Sequence, residues 1–89
     1  MDNNENETLR WPTNLDRPAI VNRLLQVREG AQAAGHAELA ARFARIESMT
    51  GGQIGAAVIG ALTWLQDKPE LRPFATQLEM VAVNLKNLK

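Results

Sequence analysis

The stretch from Thr50 to Leu65, TGGQIGAAVIGALTWL, carries no charged residue and constrains this chain more than any other feature. Thr50 followed three residues later by Gln53 is typical of a capping box, in which each side chain accepts a backbone N–H of the other residue. The apolar residues that then recur at helical spacing are Ile54, Val58, Ala61, Leu62 and Leu65. This spacing predicts a helix. Because the opposite side is also small or apolar, we expect other helices to pack around it.

Two other interpretations of this stretch fail on length and residue type. The uncharged run is shorter than the roughly 20 residues needed to cross a bilayer, and it contains Gln53 and Thr63. The Thr50-Gly51-Gly52-Gln53 segment has neither the GxxxxGK[ST] pattern nor the lysine of a phosphate-binding loop. A capped helix of a soluble protein explains the segment better.

The 89 residues are enough for one domain, and their 45% hydrophobic and 22% charged content is ordinary for a globular protein. There is no cysteine, so a disulfide framework and a thiolate metal site are both excluded. The acidic N-terminus has no apolar segment of the signal-peptide type, and we expect a cytoplasmic protein. We predict a flexible acidic tail over residues 1–12 and a single helical domain over 13–89, with Trp11 folded back and at least partly buried.

The sequence predicts an all-α, small four-helix bundle, with helices at about 17–34, 37–49, 51–66 and 70–88. Asp16 and Pro18 mark the start of the first helix, and Gly35 marks its end. In the last helix we expect one loose turn before Pro73, since proline deeper in the helix would delete a hydrogen bond. The apolar seam of that helix is Phe74, Leu78, Val81, Leu85 and Leu88.

Few residues suggest catalysis. His36 is the only histidine, and the sequence places no nucleophile or second acid beside it. One histidine with scattered carboxylates also makes a poor metal-ligand set. We therefore predict that the protein is not an enzyme and has no catalytic residue, metal ligand or cofactor.

The small-residue side of the third helix is the sharpest candidate for function. Gly52, Ala56 and Gly60 follow each other at intervals of four, a spacing that lets another helix approach closely. The favoured interpretation is that one of the domain's own helices fills this side. In the alternative, the side is open and receives a second copy or another protein. The candidate partner-binding residues are Ala56, Ile59, Gly60, Thr63, Met80 and Val83.

The leading functional hypothesis is a small protein-interaction module, a regulator or adaptor that binds itself or an unidentified protein. The alternative is a nucleic-acid-associated regulator that uses the arginines of the first two helices, which are Arg17, Arg23, Arg28, Arg42 and Arg45. A neutral net charge and the interleaved acidic residues favour a solvated face over a nucleic-acid site. A third hypothesis is an apolar ligand cavity among Phe43, Trp64 and Phe74, although such aromatic residues usually form core.

Overall fold

The computed structural model describes residues 14–88, and these residues form an all-α bundle without a strand. Its four α-helices are α1 (Arg17–Ala33), α2 (Ala37–Ala41), α3 (Gly51–Leu65) and α4 (Arg72–Ala82), and its three 3-10 turns are Ile46–Ser48, Pro69–Leu71 and Leu85–Leu88. The predicted fold class is confirmed. The predicted acidic tail and Trp11 lie outside the described residues.

The predicted signals at both ends of α1 are confirmed. The Asp16 side chain accepts a hydrogen bond from the Ala19 N–H at 3.1 Å, which satisfies one free donor of the first turn. At the other end Gly35 has a φ of +86°, a left-handed conformation that glycine adopts readily. The His36 N–H then reaches back to the Ala31 carbonyl at 2.8 Å, as in a Schellman motif.

The start of α3 also follows the prediction. The Thr50 N–H donates to Gln53 Oε1 at 2.9 Å, and the Gln53 N–H donates to Thr50 Oγ1 at 3.2 Å, so both bonds of the capping box form. The residues buried along α3 are Ile54, Val58, Ala61 and Leu65.

The second helix is shorter than the predicted 37–49. Regular α-helix ends at Ala41, and the chain continues through turns to Ile46–Ser48. From Leu39 onward the carbonyls accept N–H groups three residues ahead, since Arg42, Phe43 and Ala44 donate to Leu39, Ala40 and Ala41. In the segment that follows, Arg28 Nη1 donates to the carbonyls of Phe43 and Ala44, at 3.3 and 3.1 Å.

The last helix also ends earlier than the predicted 70–88. The loose turn predicted before Pro73 appears as Pro69–Leu71, but α4 stops at Ala82. Asn84 Nδ2 donates to the Met80 carbonyl at 2.9 Å, and the Asn84 backbone N–H bonds to the Val81 carbonyl three residues back. The asparagine side chain thus competes with the α-helical ladder, and the chain tightens into 3-10 geometry.

Within residues 14–88 the core is formed by fifteen buried apolar residues, which are Ile20, Leu24, Val27, Ala31, Leu39, Ala40, Phe43, Ile46, Ile54, Val58, Ala61, Leu65, Leu71, Leu78 and Val81. The helix α1 packs against α2 and α4, while α3 packs chiefly against α4 and the turn Leu85–Leu88. The expectation that other helices surround α3 is therefore wrong. The side of α3 that carries Gly52, Ala56, Ile59 and Thr63 is exposed.

Candidate interaction surface

The side of α3 that faces away from the core is exposed. Gly52, Ala56, Ile59 and Thr63 lie at helical intervals along this side, and all four are exposed. Ile59 is 54% exposed, the largest value for a bulky apolar side chain among the described residues. We call these four residues the open α3 face. The face has no charge, because the whole of α3 has none.

The adjacent edge of α3 is covered by the chain itself. A Cβ built on Gly51 would lie 2.9 Å from the Leu88 carbonyl oxygen and 3.2 Å from Leu88 Cβ. One turn further on, a Cβ at Gly55 would lie 4.0 Å from Leu85 Cδ1. The favoured interpretation of the small-residue side, filling by the domain's own chain, therefore holds for Gly51 and Gly55. For the open α3 face it does not hold within residues 14–88.

Gly60 lies at the other border of the open face. A Cβ built on Gly60 would be 3.7 Å from Arg42 Nη1. The Arg42 guanidinium lies 5.3 Å from the centre of the Trp64 ring and 3.9 Å from Glu38, and Lys68 Nζ lies 4.3 Å from the same ring centre. Cation–π attraction thus places two positive side chains along this border.

The two candidate residues of the last helix occupy different surroundings. Val83 is 42% exposed and lies just past the end of α4. Met80 is partly buried. It lies one helical turn before Asn84 and therefore on the same side of the chain. The Asn84 side chain on that side binds the Leu15 N–H. The structure joins Ala56, Ile59, Gly60 and Thr63 into one surface but leaves Met80 apart from it.

The arginines proposed for nucleic-acid binding are largely engaged within the chain. Arg17 donates to the Met49 carbonyl, Arg28 to those of Phe43 and Ala44, and Arg42 stacks on Trp64. These contacts hold loops and helix ends in place, since a guanidinium can satisfy several carbonyls at once. They leave Arg23 and Arg45 as the members of the set without such a contact among residues 14–88.

His36 and the three aromatic residues have separate structural roles. His36 follows the end of α1 and packs edge-on against Phe74, with ring centres 5.8 Å apart. Phe43 is fully buried in the core. Trp64 is partly buried, and the cationic groups of Arg42 and Lys68 lie over its ring. Each aromatic residue is thus accounted for by packing with its own neighbours.

The sequence analysis did not predict a polar cluster around the buried Asn84 that joins Leu15 to the turn Leu85–Leu88. Asn84 is fully buried; its Oδ1 accepts the Leu15 N–H at 3.0 Å. Asn87 Nδ2 donates to the Leu15 carbonyl at 2.8 Å and to Asn84 Oδ1 at 3.3 Å. One signal could have revealed it: Asn84 lies three residues after Val81, at an inward position of an otherwise apolar stripe.

No group of three or more His, Cys, Asp or Glu that could hold a metal ion occurs within residues 14–88. In the same part of the chain, no helix combines the length and apolar character needed to cross a membrane. No protein-family model, curated protein or solved structure matches the chain. We therefore infer the function of the protein from the geometry of its own surfaces.

Proposed function

We propose that this protein is a non-enzymatic interaction module that associates with a second copy of itself through the open α3 face. The observation that carries the proposal is the exposure of Ile59, at 54%, on a helix without a charged residue. Leaving an isoleucine in water is unfavourable, and burying it against a partner would contribute about 1–2 kcal/mol.

The spacing of the surface supports a helical partner. Ala56, Ile59, Gly60 and Thr63 are related as i, i+3, i+4 and i+7, the spacing of four residues that form one hole in knobs-into-holes packing. Ile59 is the bulky member, and the other three are small. A two-fold axis near Ile59 would place this side chain of each copy against the small residues of the other copy.

The absence of charge supports a second copy as the partner. In a symmetric dimer the same patch meets itself, so a patch with one sign of charge would repel its copy. The open α3 face has no charged residue of its own, and the Arg42 at its border lies 3.9 Å from the carboxylate of Glu38. It is also a single helix face, smaller than the roughly 800 Å² per partner of standard interfaces, so we expect a weak, concentration-dependent dimer.

Light scattering and sedimentation over a concentration series test this proposal. The parent should shift from monomer to dimer at micromolar to millimolar concentration, and Ile59→Glu should abolish the shift, because two carboxylates would meet near the axis. Gln26→Glu is the matched control: it adds the same charge at an exposed position of α1 and should dimerise like the parent. A parent that stays monomeric throughout, or an Ile59→Glu variant that still dimerises, would overturn the proposal.

A further inference from the structure

The Arg42 guanidinium is held by an aromatic ring and has no hydrogen-bond acceptor. Its side chain is only 33% exposed, and its carbon Cζ lies 5.3 Å from the centre of the Trp64 ring. Its Nε is buried and has no hydrogen-bond partner. The Glu38 carboxylate oxygen lies 3.9 Å from Nη2, which is beyond hydrogen-bond distance. Within residues 14–88, Arg42 therefore donates no hydrogen bond.

A partly buried guanidinium without an acceptor is unusual in this molecule and unfavourable in general. The group carries a positive charge and five N–H donors, and withdrawing them from water without a partner costs free energy. Arg17 and Arg28 avoid this cost, because both donate to backbone carbonyls. In Arg42 the buried, unpaired atom is Nε, so Nη1 and Nη2 are the nitrogens that reach solvent. An acceptor from outside the chain would complete their hydrogen bonds.

Lys68 fixes a second positive charge at the same ring. Its Nζ lies 4.3 Å from the Trp64 ring centre and donates to the Trp64 carbonyl at 3.2 Å and to the Asp67 carboxylate at 3.3 Å. These three contacts hold the ammonium group in place, so it adds positive potential beside the Arg42 guanidinium. Both cationic groups thus attract an anion to the surface around Trp64.

The acidic neighbours of this site limit the kind of anion that it can bind. The side chains of Glu38 and Asp67 are 65% and 85% exposed, and each lies within 4 Å of one of the two cations. Water screens these carboxylates, but they would still repel a doubly charged phosphate more than a singly charged carboxylate. A carboxylate also matches the planar fork of a guanidinium, to which it can bind through two parallel hydrogen bonds.

We propose that Arg42 and Lys68, held at the ring of Trp64, bind a carboxylate of an acidic peptide segment in a partner protein. The carboxylate accepts from Nη1 and Nη2 of Arg42, and Lys68 contributes its charge from beside the ring. Gly60 leaves room at Nη1, since a Cβ built there would already lie 3.7 Å from that atom. The site uses none of the four residues of the open α3 face, so it does not depend on self-association.

The first test is an NMR titration of the isotope-labelled full chain with a tetraglutamate peptide whose ends are blocked. The Trp64 indole N–H and the Arg42 Nε–H signals should shift together and saturate at millimolar peptide, and added salt should weaken the binding. A blocked tetraglutamine peptide of the same length should shift neither signal, and inorganic phosphate should bind more weakly than tetraglutamate. Absence of a saturable shift, an equal response to tetraglutamine, or tighter binding of phosphate would overturn the proposal.

The second test compares the affinity of four variants for the same tetraglutamate peptide. Arg42→Gln should weaken binding about 10-fold and Lys68→Gln about 3-fold, because each removes an attracting charge. Glu38→Gln should strengthen binding about 3-fold, because it removes a competing carboxylate. Arg45→Gln is the matched control: it removes an exposed arginine one turn from Arg42 that does not contact the ring, and its affinity should stay within about 2-fold of the parent.

Circular dichroism of each variant shows whether it remains folded. Glu38→Gln changes an exposed side chain and leaves Trp64 untouched, so it tests the site even where Arg42→Gln disturbs the packing of the ring. A folded Arg42→Gln variant that binds tetraglutamate like the parent, or a Glu38→Gln variant that binds it no more tightly, would contradict a carboxylate site at Arg42.

Discussion

Gly51 shows how one residue at the start of α3 depends on the far end of the chain. The cost of adding a methyl group there is set by a backbone oxygen of Leu88, which cannot rotate away as a side chain can. Gly52, its neighbour, has nothing within 4 Å of a built Cβ. Adjacent glycines of one helix thus differ in whether they tolerate a side chain, because Leu88 lies against Gly51 and not against Gly52.

Gly51→Ala should therefore destabilise the protein by about 1–3 kcal/mol, because α3 or the turn Leu85–Leu88 must shift to relieve the overlap. Gly52→Ala, the matched control, should be neutral or stabilising by up to about 1 kcal/mol, since alanine restricts the unfolded chain. Urea denaturation of both variants measures the difference. Equal stability of the two would show that Leu88 does not lie against Gly51.

Arg28 holds the segment that follows α2. It reaches from α1 to the carbonyls of Phe43 and Ala44. The apolar stripe nevertheless survives the change, because Leu39, Phe43 and Ile46 are all fully buried. The apolar residues of a turn-rich segment can thus stay buried on one side while a guanidinium binds its carbonyls.

Arg28→Ala should lower the free energy of unfolding by about 1–3 kcal/mol, since two carbonyls lose a charged donor. Amide exchange should rise first in residues 42–48, the segment that Arg28 holds. Arg23→Ala removes an arginine from the same helix and serves as the comparison; we expect a loss below about 0.5 kcal/mol. If both variants behave alike, Arg28 does not hold residues 42–48 in place.

At the scale of the whole molecule, the bundle depends on one small core. Leu78 on α4 is fully buried in it, whereas Val83, just past the end of α4, is 42% exposed. A small domain has only about 5–15 kcal/mol of stability, so a single core cavity takes a large share of it.

Leu78→Ala should cost about 2–5 kcal/mol and lower the thermal midpoint sharply, or unfold the protein at room temperature. Val83→Ala also shortens an apolar side chain in the same part of the chain and should change stability by less than about 1 kcal/mol. Circular dichroism during heating compares the two. A Leu78→Ala variant that melts like the parent would contradict the position of α4 in the core.

The sequence by itself determined the features that depend on neighbours in the chain. Asp16, the Thr50–Gln53 pair and Gly35 mark helix ends through hydrogen bonds that span a few residues, and their patterns can be read directly. The apolar stripes were equally readable, because helical periodicity is local. The same patterns singled out Ala56, Ile59, Gly60 and Thr63, although they could not show which side of α3 was covered.

The tertiary structure alone decided the features that depend on distant partners. Arg28 binds the carbonyls of Phe43 and Ala44 across 15 and 16 residues, and Asn84 binds Leu15 across 69. No local pattern encodes such contacts, because side chains far apart in sequence meet only after the helices pack. Distant residues also decide which side of α3 is covered. Leu85 and Leu88 cover Gly51 and Gly55, whereas the packing leaves Ile59 exposed.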